Sequence, residues 1–478
     1  MAKAERRERS TALYETILKL KDLEECRRFF EDLCTPTELQ AMEQRFDVAV
    51  YLQQGLVYLD ILEKTGASSA TISRVRRSML ENGAGGVGGP GQAGAAGGMT
   101  RIRDQVLYFA GKQGKRMKQL MLGNAAVARG LYEAGCGVVS SYPGTPSTEI
   151  TEECAKYDEI YCEWAPNEKV AMEVAFGASL AGKRSFCGMK HVGLNVAADP
   201  LFTLSYTGVN AGMVIVVADD PGMHSSQNEQ DSRNYAKASK IPMLEPADSQ
   251  ECLSFTKLAY DISERYDTPV IIRLTTRISH SRSLVEVGER VDNGLKEYVK
   301  DTQKYVMMPA MAKKKHVIVE ERTKALTAWG ESEAIDLGVN KIEYNDKKIG
   351  IITGGIAYQY AKEALGDKAS YLKLGCLYPL PEKLLRDFAA ECEKVYVIEE
   401  LDPYIEDHCR KLGINVIGKE QFTLLGEYSQ SMIKKVILGE ENSYLKADID
   451  VPARPPVLCA GCPHRGLFYA LKKLKVNV

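Results

Sequence analysis

A glycine-rich stretch divides this chain and constrains its architecture more than any other feature. Residues 83–98 read GAGGVGGPGQAGAAGG, with nine glycines in sixteen positions. Such a stretch has too few apolar side chains to join a core, so it predicts a flexible linker. The segment that follows is basic and extends it to residue 116. We therefore expect an N-terminal unit over 1–82, a linker over 83–116 and a longer remainder from Met117.

Charge and cysteine content narrow the class of protein. Lys and Arg number 62 against 64 Asp and Glu, a net charge of −2, which argues against a globally basic nucleic-acid binder but leaves a local basic patch open. No apolar run approaches the ~18 residues of a membrane helix, and no apolar signal core follows MAKAERRERS. The twelve cysteines are too dispersed for a disulfide framework. We expect a cytoplasmic protein without a membrane partner.

The N-terminal unit shows helical spacing of its apolar residues and no strand-like alternation. Near its end, a turn at Gly66 separates two helical stretches, which predicts a helix-turn-helix. The second helix carries hydroxyls early and arginines late, an arrangement that suits contacts to bases and phosphates. The candidate DNA-binding residues are Ser69, Thr71, Ser73, Arg74, Arg76 and Arg77. A plain helical hairpin with a solvated charged face explains the same pattern.

The remainder alternates between helical stretches and apolar runs. GMVIVVADD (212–220) and PVIIRLTT (269–276) are nearly continuous apolar runs, as expected for parallel strands covered on both faces. A second set of runs follows at 348–355, 370–379, 394–400 and 414–418. This pattern predicts two successive α/β domains with parallel sheets. In such sheets, ligands bind at the carboxyl ends of the strands.

Two motifs occur where predicted strands give way to helices. Tyr142, Pro143, Gly144 and Thr145 form a rigid, hydroxyl-bearing turn, which is either a ligand-binding turn or only a well-capped connection. Glu168 opens an apolar helical stretch. A glutamate there is most often a partner of the helix dipole. Buried against a neighbouring subunit, it could instead hold a proton for acid–base chemistry.

More polar groups gather after two later predicted strands. Lys190, His191 and Asn195 follow the run SFCGMK, and His224 lies in the polar stretch 219–229. A lone histidine is more often structural than catalytic. Three polar strand ends in one sheet nevertheless predict a site at its carboxyl edge.

A close cysteine pair lies near the C-terminus. Cys459 and Cys462 form a Cys-x-x-Cys motif followed by a proline and a histidine. Such a pair can hold zinc or an iron–sulfur cluster, or act as a redox dithiol. Because a full tetrahedral site needs two further ligands, the pair alone leaves these three interpretations open.

The motifs together carry two resemblances. TPTELQAMEQRFDVAVYLQQG and the hairpin after it resemble the Trp-repressor family of bacterial regulators, which implies DNA binding. From Met117 to Val478, the sequence resembles the large subunit of indolepyruvate:ferredoxin oxidoreductase, through YPGTPSTEI, WAPNEKVAMEVAFGASLAG, MKHVGLNVAADP, ADDPGMHSSQNEQDSR and CAGCPHRGLFYALKKL. The second resemblance implies a thiamine-diphosphate enzyme that decarboxylates indolepyruvate or another aryl pyruvate. Electrons would pass through [4Fe–4S] clusters to ferredoxin, and coenzyme A would accept the acyl group.

The resemblance also implies a division of the remainder. It implies a pyrimidine-binding domain over 117–285, a connecting segment over 286–339 and a transketolase C-terminal-like domain over 340–445. Residues 446–478 would begin a second thiamine-diphosphate-binding domain. The expected fold is therefore multi-domain, with an all-α helix-turn-helix unit followed by α/β parallel-sheet thiamine-enzyme domains.

The same resemblance implies roles for individual residues. Glu168 matches the glutamate that protonates the pyrimidine nitrogen of the cofactor. The residues implied to contact the cofactor are Tyr142, Pro143, Gly144, Thr145, Glu168 and Asn195. Those implied in catalysis are Glu168, Thr145, His191 and His224. Lys190 and Arg233 would bind the substrate, with Arg233 meeting a carboxylate, and Cys459 and Cys462 would be cluster ligands.

Parts of such an enzyme are expected to come from elsewhere. The Gly-Asp-Gly-type motif that binds the diphosphate through Mg²⁺ would lie beyond CAGCPHR, as would the remaining cluster cysteines. We therefore expect this chain to be inactive alone and to need other chains, among them the small β subunit. The N-terminal fusion fits either two joined reading frames or a real tether. The alternative function is a transcription regulator of aromatic amino-acid metabolism whose α/β part binds a metabolite.

Overall fold

A computed structural model describes residues 22–53, 61, 64–65, 118–441, 458 and 461–476. Two helices of the N-terminal unit fall in these ranges, α1 (Leu23–Leu33) and α2 (Pro36–Gln53). Asp22 caps α1 by accepting a hydrogen bond from the backbone N–H of Glu25 at 2.9 Å. The helical character predicted for the N-terminal unit is confirmed as far as the described residues reach.

The α/β part begins at Lys118. Its strands are β1 Lys118–Leu122, β2 Val138–Ser141, β3 Tyr161–Trp164, β4 Ser185–Lys190, β5 Met213–Asp219, β6 Met243–Leu244, β7 Val270–Thr275, β8 Arg282–Glu286, β9 Lys341–Glu343, β10 Ile349–Gly354, β11 Ser370–Leu374, β12 Cys376–Tyr378 and β13 Lys394–Ile398. Its helices are α3 Gly123–Glu133, α4 Thr148–Cys154, α5 Glu168–Leu180, α6 His191–Val196, α7 Ala198–Thr207, α8 Arg233–Ser239, α9 Ser249–Tyr266, α10 Thr276–His280, α11 Thr302–Tyr305, α12 Pro309–Glu331, α13 Glu333–Asp336, α14 Gly355–Leu365, α15 Glu382–Ala390, α16 Tyr404–Lys411, α17 Gln430–Leu438 and α18 His464–Lys473.

The larger sheet has seven strands in the order β12-β6-β7-β5-β4-β2-β3. Six of them run parallel, and β12 joins the edge antiparallel to β6. Every residue of β5 and β7 is buried. The apolar runs 212–220 and 269–276 therefore form central parallel strands, as predicted, because helices cover both faces of the sheet.

β1 and β8 form a separate antiparallel pair, and the smaller of the two main sheets has the order β13-β10-β11-β9, with β9 antiparallel to β11 and the other pairs parallel. The predicted strand over 370–379 is divided between the two sheets, since β11 lies in this sheet and β12 in the larger one. The side-chain oxygen of Asn340 accepts the N–H groups of Gly375 and Cys376 at 3.0 and 3.1 Å, and so holds the chain where it changes sheets. The run 414–418 forms only an isolated bridge between Ile417 and Tyr396.

The two sheets share one hydrophobic cluster. Ile215 and Val217 of β5 belong to the same buried set as Ile352 of β10 and Leu372 of β11. The two sheets are therefore joined by one continuous core, and the domain bounds implied by the resemblance, with a connecting segment over 286–339, remain a prediction. Among the helices in the described part of the chain, none is both long and apolar enough to cross a membrane.

Candidate cofactor site

The larger sheet reverses its strand order beside β2. From β2 the chain crosses to β3 on one side and then returns to β4 on the other, and both are parallel neighbours of β2. In open parallel sheets, the crevice at such a reversal, outside the carboxyl ends of the strands, is the usual place for a ligand. The turns that follow β2 and β4 flank this crevice.

The turn after β2 is held by hydroxyl groups. The N–H of Gly144 donates to Thr148 Oγ1 at 2.9 Å, and Ser147 Oγ donates to the carbonyl of Gly144 at 3.0 Å. A Cβ atom at Gly144 would lie 3.2 Å from side-chain carbons of Lys190, so the turns after β2 and β4 are in close contact. The side chains of Tyr142, Pro143 and Thr145 are left exposed. The turn therefore presents three of the predicted cofactor residues at the crevice.

Glu168 is the first residue of α5, after the carboxyl end of β3. Asn167 caps the helix by accepting the N–H of Val170 at 3.0 Å. Only 9% of Glu168 is exposed, and its carboxylate forms no hydrogen bond or ion pair with any described residue. It lies against Gly193 of α6, where an added Cβ would be 2.5 Å from Oε1 of Glu168. Neither carboxylate oxygen is among the fully buried atoms of the described residues that lack a partner, so the group remains open to a ligand at the crevice.

His191 begins α6 directly after β4 and is 1% exposed. Its Nε2 lies 3.0 Å from the carbonyl of Asn228, and because a carbonyl only accepts, Nε2 carries the proton. Its Nδ1 is buried without a partner among the described residues. Lys190 Nζ donates to the carbonyl of Ser225 at 3.1 Å. Both side chains thus hold the loop that follows β5.

That loop connects the crevice to the second half of the α/β part. Burial raises the pKa of the Asp220 carboxyl group, but hydrogen bonds from Thr276, Ser225 and Ser226 outweigh burial. The pKa of Asp220 is therefore lowered. His224 is 52% exposed at its side chain and lies 3.2 Å from Glu427. The loop is therefore fixed at its start and exposed at His224.

Two predicted site residues have other partners. Asn195 is exposed and accepts the hydroxyl of Tyr235 at 2.6 Å. Arg233 is 1% exposed and donates to Asp231 and to Glu399, the latter at 2.5 Å. Its third nitrogen, Nη2, donates to Asp231 Oδ2 and to two backbone carbonyls that follow β13. All three guanidinium nitrogens are thus engaged in joining the two sheets, so the predicted contact with a substrate carboxylate has no support here.

A set of buried charges beside Arg233 was not predicted from the sequence. Arg273 of β7 donates to Asp219 Oδ2 at 2.7 Å and also to Glu245, while Glu399 accepts the first N–H groups of α16. Arg273 Nη2 and Asp219 Oδ1 are buried without partners among the described residues. In the sequence, the one sign of this network is Arg273, a charged residue within the otherwise apolar run PVIIRLTT.

Other predicted residues fall at or beyond the edge of the described ranges. The DNA-binding candidates from Ser69 to Arg77, and Cys459, lie outside the described residues. Cys462 is described, and its Sγ lies 3.4 Å from Nδ1 of His464. Within the described ranges, no group of three or more histidine, cysteine or acidic side chains is arranged to hold a metal ion.

The crevice offers groups that suit the aminopyrimidine ring of thiamine diphosphate. No described residue bonds the carboxyl group of Glu168, so it is open to a ring nitrogen, and the adjoining turn leaves its polar atoms exposed.

Family comparisons agree with this geometry. Residues 129–342 match the family described as pyruvate flavodoxin/ferredoxin oxidoreductase, thiamine diphosphate-binding. This region is thus similar to members of that family. Residues 8–87 match the Trp repressor protein family. The predicted fold class, a Trp-repressor-like helical unit followed by α/β domains of the thiamine-enzyme type, is confirmed.

Individual relatives are similar to this chain over most of its length. The chain is 42% identical over 386 residues to indolepyruvate oxidoreductase subunit IorA of Archaeoglobus fulgidus, covering 75% of this chain and 61% of the relative. It is also 42% identical over 407 residues to the subunit of that name in Pyrococcus abyssi, covering 78% and 62%. The chain thus spans about three fifths of the length of these relatives.

Two further comparisons concern the fold and the N-terminal unit. A 2-oxoglutarate:ferredoxin oxidoreductase from Magnetococcus marinus has the same fold, with a TM-score of 0.58 at 17% identity, covering 84% of this chain and 79% of that one. The sequence is 57% identical over 67 residues to the uncharacterized protein YerC of Bacillus subtilis. The match covers 14% of this chain and 64% of that protein.

Proposed function

We propose that this chain is a subunit of a 2-oxoacid:ferredoxin oxidoreductase that decarboxylates indolepyruvate and other aryl pyruvates to aryl-acetyl-CoA and CO₂. In this proposal, the carboxyl edge of the larger sheet binds the pyrimidine end of thiamine diphosphate. The observation that carries it is the buried carboxyl group of Glu168, which has no partner among the described residues and lies at this edge. The identity to the IorA subunits supports it.

The role of each side chain follows from its position. When bound, thiamine diphosphate supplies the nucleophilic carbon that attacks the 2-oxoacid. Glu168 exchanges a proton with the pyrimidine nitrogen, and Gly193 leaves room for its carboxyl group. The turn at Gly144 and Thr145 lies beside the cofactor. His191, whose Nδ1 has no partner in the described part of the chain, is available to accept a hydrogen bond from a ligand at the crevice.

An aryl substrate suits the side chains near this edge. Tyr142, just after β2, and Trp164, at the end of β3, are 40% and 44% exposed. Exposed aromatic rings beside a polar crevice offer stacking surfaces for an indole or phenyl group. This aromatic border favours aryl pyruvates over small aliphatic 2-oxoacids.

The remaining parts are proposed to come from other chains or segments. Mg²⁺ and the diphosphate would be held by a second thiamine-binding domain. The [4Fe–4S] clusters would pass electrons to ferredoxin, with Cys459 and Cys462 contributing to one of them. A small β subunit and coenzyme A complete the proposed reaction.

Substitution of Glu168 in the reconstituted complex tests this proposal. Glu168→Gln keeps the size of the side chain but removes its exchangeable acidic proton, so indolepyruvate-dependent ferredoxin reduction should fall by ~100-fold or more. Glu173→Gln, on the exposed face of the same helix, is the matched control and should retain full activity. A complex carrying Glu168→Gln that is as active as the control would reject the role of this glutamate.

The N-terminal unit supports a second candidate function, DNA binding, because residues 8–87 match the Trp repressor family. In the full chain, replacing both Arg76 and Arg77 with alanine should weaken DNA binding at all sequences. It should also make the decrease of log K with log salt concentration less steep, by the slope that about two phosphate contacts contribute. Glu168→Gln should leave DNA binding unchanged. Unaltered affinity and salt slope in the double variant would rule out Arg76 and Arg77 as DNA contacts.

A further inference from the structure

A second ligand-sized cleft lies far from the candidate cofactor site. It has a volume of about 470 Å³ and is formed by α11 and the first half of α12. Its Lys304 donates to the carbonyl of Val209 and to Asp267, both at 2.8 Å, and these residues precede β5 and β7. The cleft is thus at the amino edge of the larger sheet, about 20 Å from its carboxyl edge given the seven residues of β5.

The charges at this cleft are not balanced. Asp301, in the wall, is already used to cap α11, where it accepts the N–H groups of Gln303 and Lys304 at 2.8 and 3.1 Å. Lys314 and Lys315, also in the wall, form no ion pair or hydrogen bond with any residue in the described ranges. The cleft therefore has two ammonium groups whose donors are free.

The surroundings increase this positive potential. Arg322, on the same helix, is buried and donates to the carbonyls of Asp267 and Ser205 rather than to a carboxylate. Burial lowers the pKa of Arg322 to about 10. Burial also lowers the pKa of Lys315; Lys304 and Arg322 act in the same direction, whereas Asp267 and Asp301 oppose the shift. A partly desolvated cation among other cations is stabilised by an anion that enters from solvent.

The cleft also has an apolar wall. Met311 and Ile318 line it beside the lysines, and 49% of Ile318 is exposed. Lysine ammonium groups act as point charges that bind phosphate. The volume lies in the ~300–1,000 Å³ range of small-molecule sites. We propose that this cleft binds a small phosphorylated molecule, with its phosphate on Lys314 and Lys315 and an apolar or aromatic group on Met311 and Ile318.

Titration calorimetry of the full chain with adenosine diphosphate tests the proposal, with inorganic pyrophosphate and adenosine as separate probes. Replacing Lys314 and Lys315 together with glutamine should weaken adenosine diphosphate binding by at least ~10-fold, because two charge-assisted contacts are lost. Lys313→Gln is the matched control, since Lys313 is exposed on the same helix and does not line the cleft. Its affinity should equal that of the parent protein.

The probes also separate the sources of affinity. Tighter binding of adenosine diphosphate than of pyrophosphate supports the proposal, and equal binding would overturn the contact of an attached ring with Met311 and Ile318. Adenosine binding as tight as that of the diphosphate would overturn the proposal. Absent binding of both phosphate probes, or an equal loss in Lys313→Gln, would overturn it as well. Glu168→Gln should have no effect, which keeps this test independent of the cofactor site.

Discussion

Gly193 and the side chain of Glu168 lie in close contact at the carboxyl edge of the larger sheet. A Cβ atom on Gly193 would lie 2.5 Å from Oε1 of Glu168 and 2.8 Å from its Cδ. Because α6 begins directly after β4 and α5 directly after the turn that ends β3, the two helices bring these residues together. The absence of a side chain at Gly193 is therefore what allows the carboxyl group of Glu168 to stay buried.

Gly193→Ala should displace that carboxyl group. Because this group is the far end of a flexible side chain, the cost should lie at the lower end of the ~1–3 kcal/mol that overpacking causes. In a Glu168→Ala background, the same substitution should be nearly neutral, because the obstructing atoms are gone. Denaturant unfolding of the four proteins in this double-mutant cycle measures the coupling. Additive effects of the two substitutions would show that the contact does not restrain Glu168.

Arg233 should be essential for the packing of the two sheets. Arg233→Met leaves the buried carboxylates of Asp231 and Glu399 without their cation, and breaking such a pair typically costs about 3–5 kcal/mol. Arg265→Met is the control, since Arg265 forms an exposed pair with Glu333 that solvent screens. Thermal unfolding compares the two variants. Equal melting temperatures would mean that the Arg233 network contributes nothing to stability.

Glu400 should make stability depend on pH. Burial raises the pKa of Glu400 to about 7, while the N–H of Tyr428 and the charge of Arg273 oppose the shift and Glu427 and Glu245 add to it. Since the folded pKa lies above the unfolded one, the contribution is complete at low pH and is lost as pH rises through about 7. From pH 6 to pH 8 the loss is about 1 kcal/mol.

Glu400→Gln isolates this contribution. The variant should lose less stability than the parent protein between pH 6 and pH 8, as measured by denaturant unfolding at each pH. Other titrating groups cancel in the comparison, among them His408, whose pKa burial lowers. An identical pH dependence in both proteins would contradict the assignment to Glu400.

Local patterns were sufficient for much of the fold and pointed to the carboxyl edge of the larger sheet as the candidate site. Continuous apolar runs indicated β5 and β7, and polar residues after strands indicated the carboxyl edge. The contact between Glu168 and Gly193 could not be predicted, because it depends on how α5 and α6 pack. The division of 370–379 between two sheets depends on Asn340, thirty-five residues before Gly375. Arg233 was assigned to substrate from a resemblance, whereas its carboxylate partner Glu399 is 166 residues away in the sequence.

The central claim is that Glu168 exchanges a proton with the pyrimidine ring of thiamine diphosphate. The most direct measurement is the rate of hydrogen–deuterium exchange at C2 of the thiazolium ring, followed by NMR after acid quench in the assembled complex. We expect Glu168→Gln to slow this exchange by ~100-fold or more, because general acid–base assistance is lost, while the cofactor still binds. An unchanged exchange rate with bound cofactor would contradict the claim.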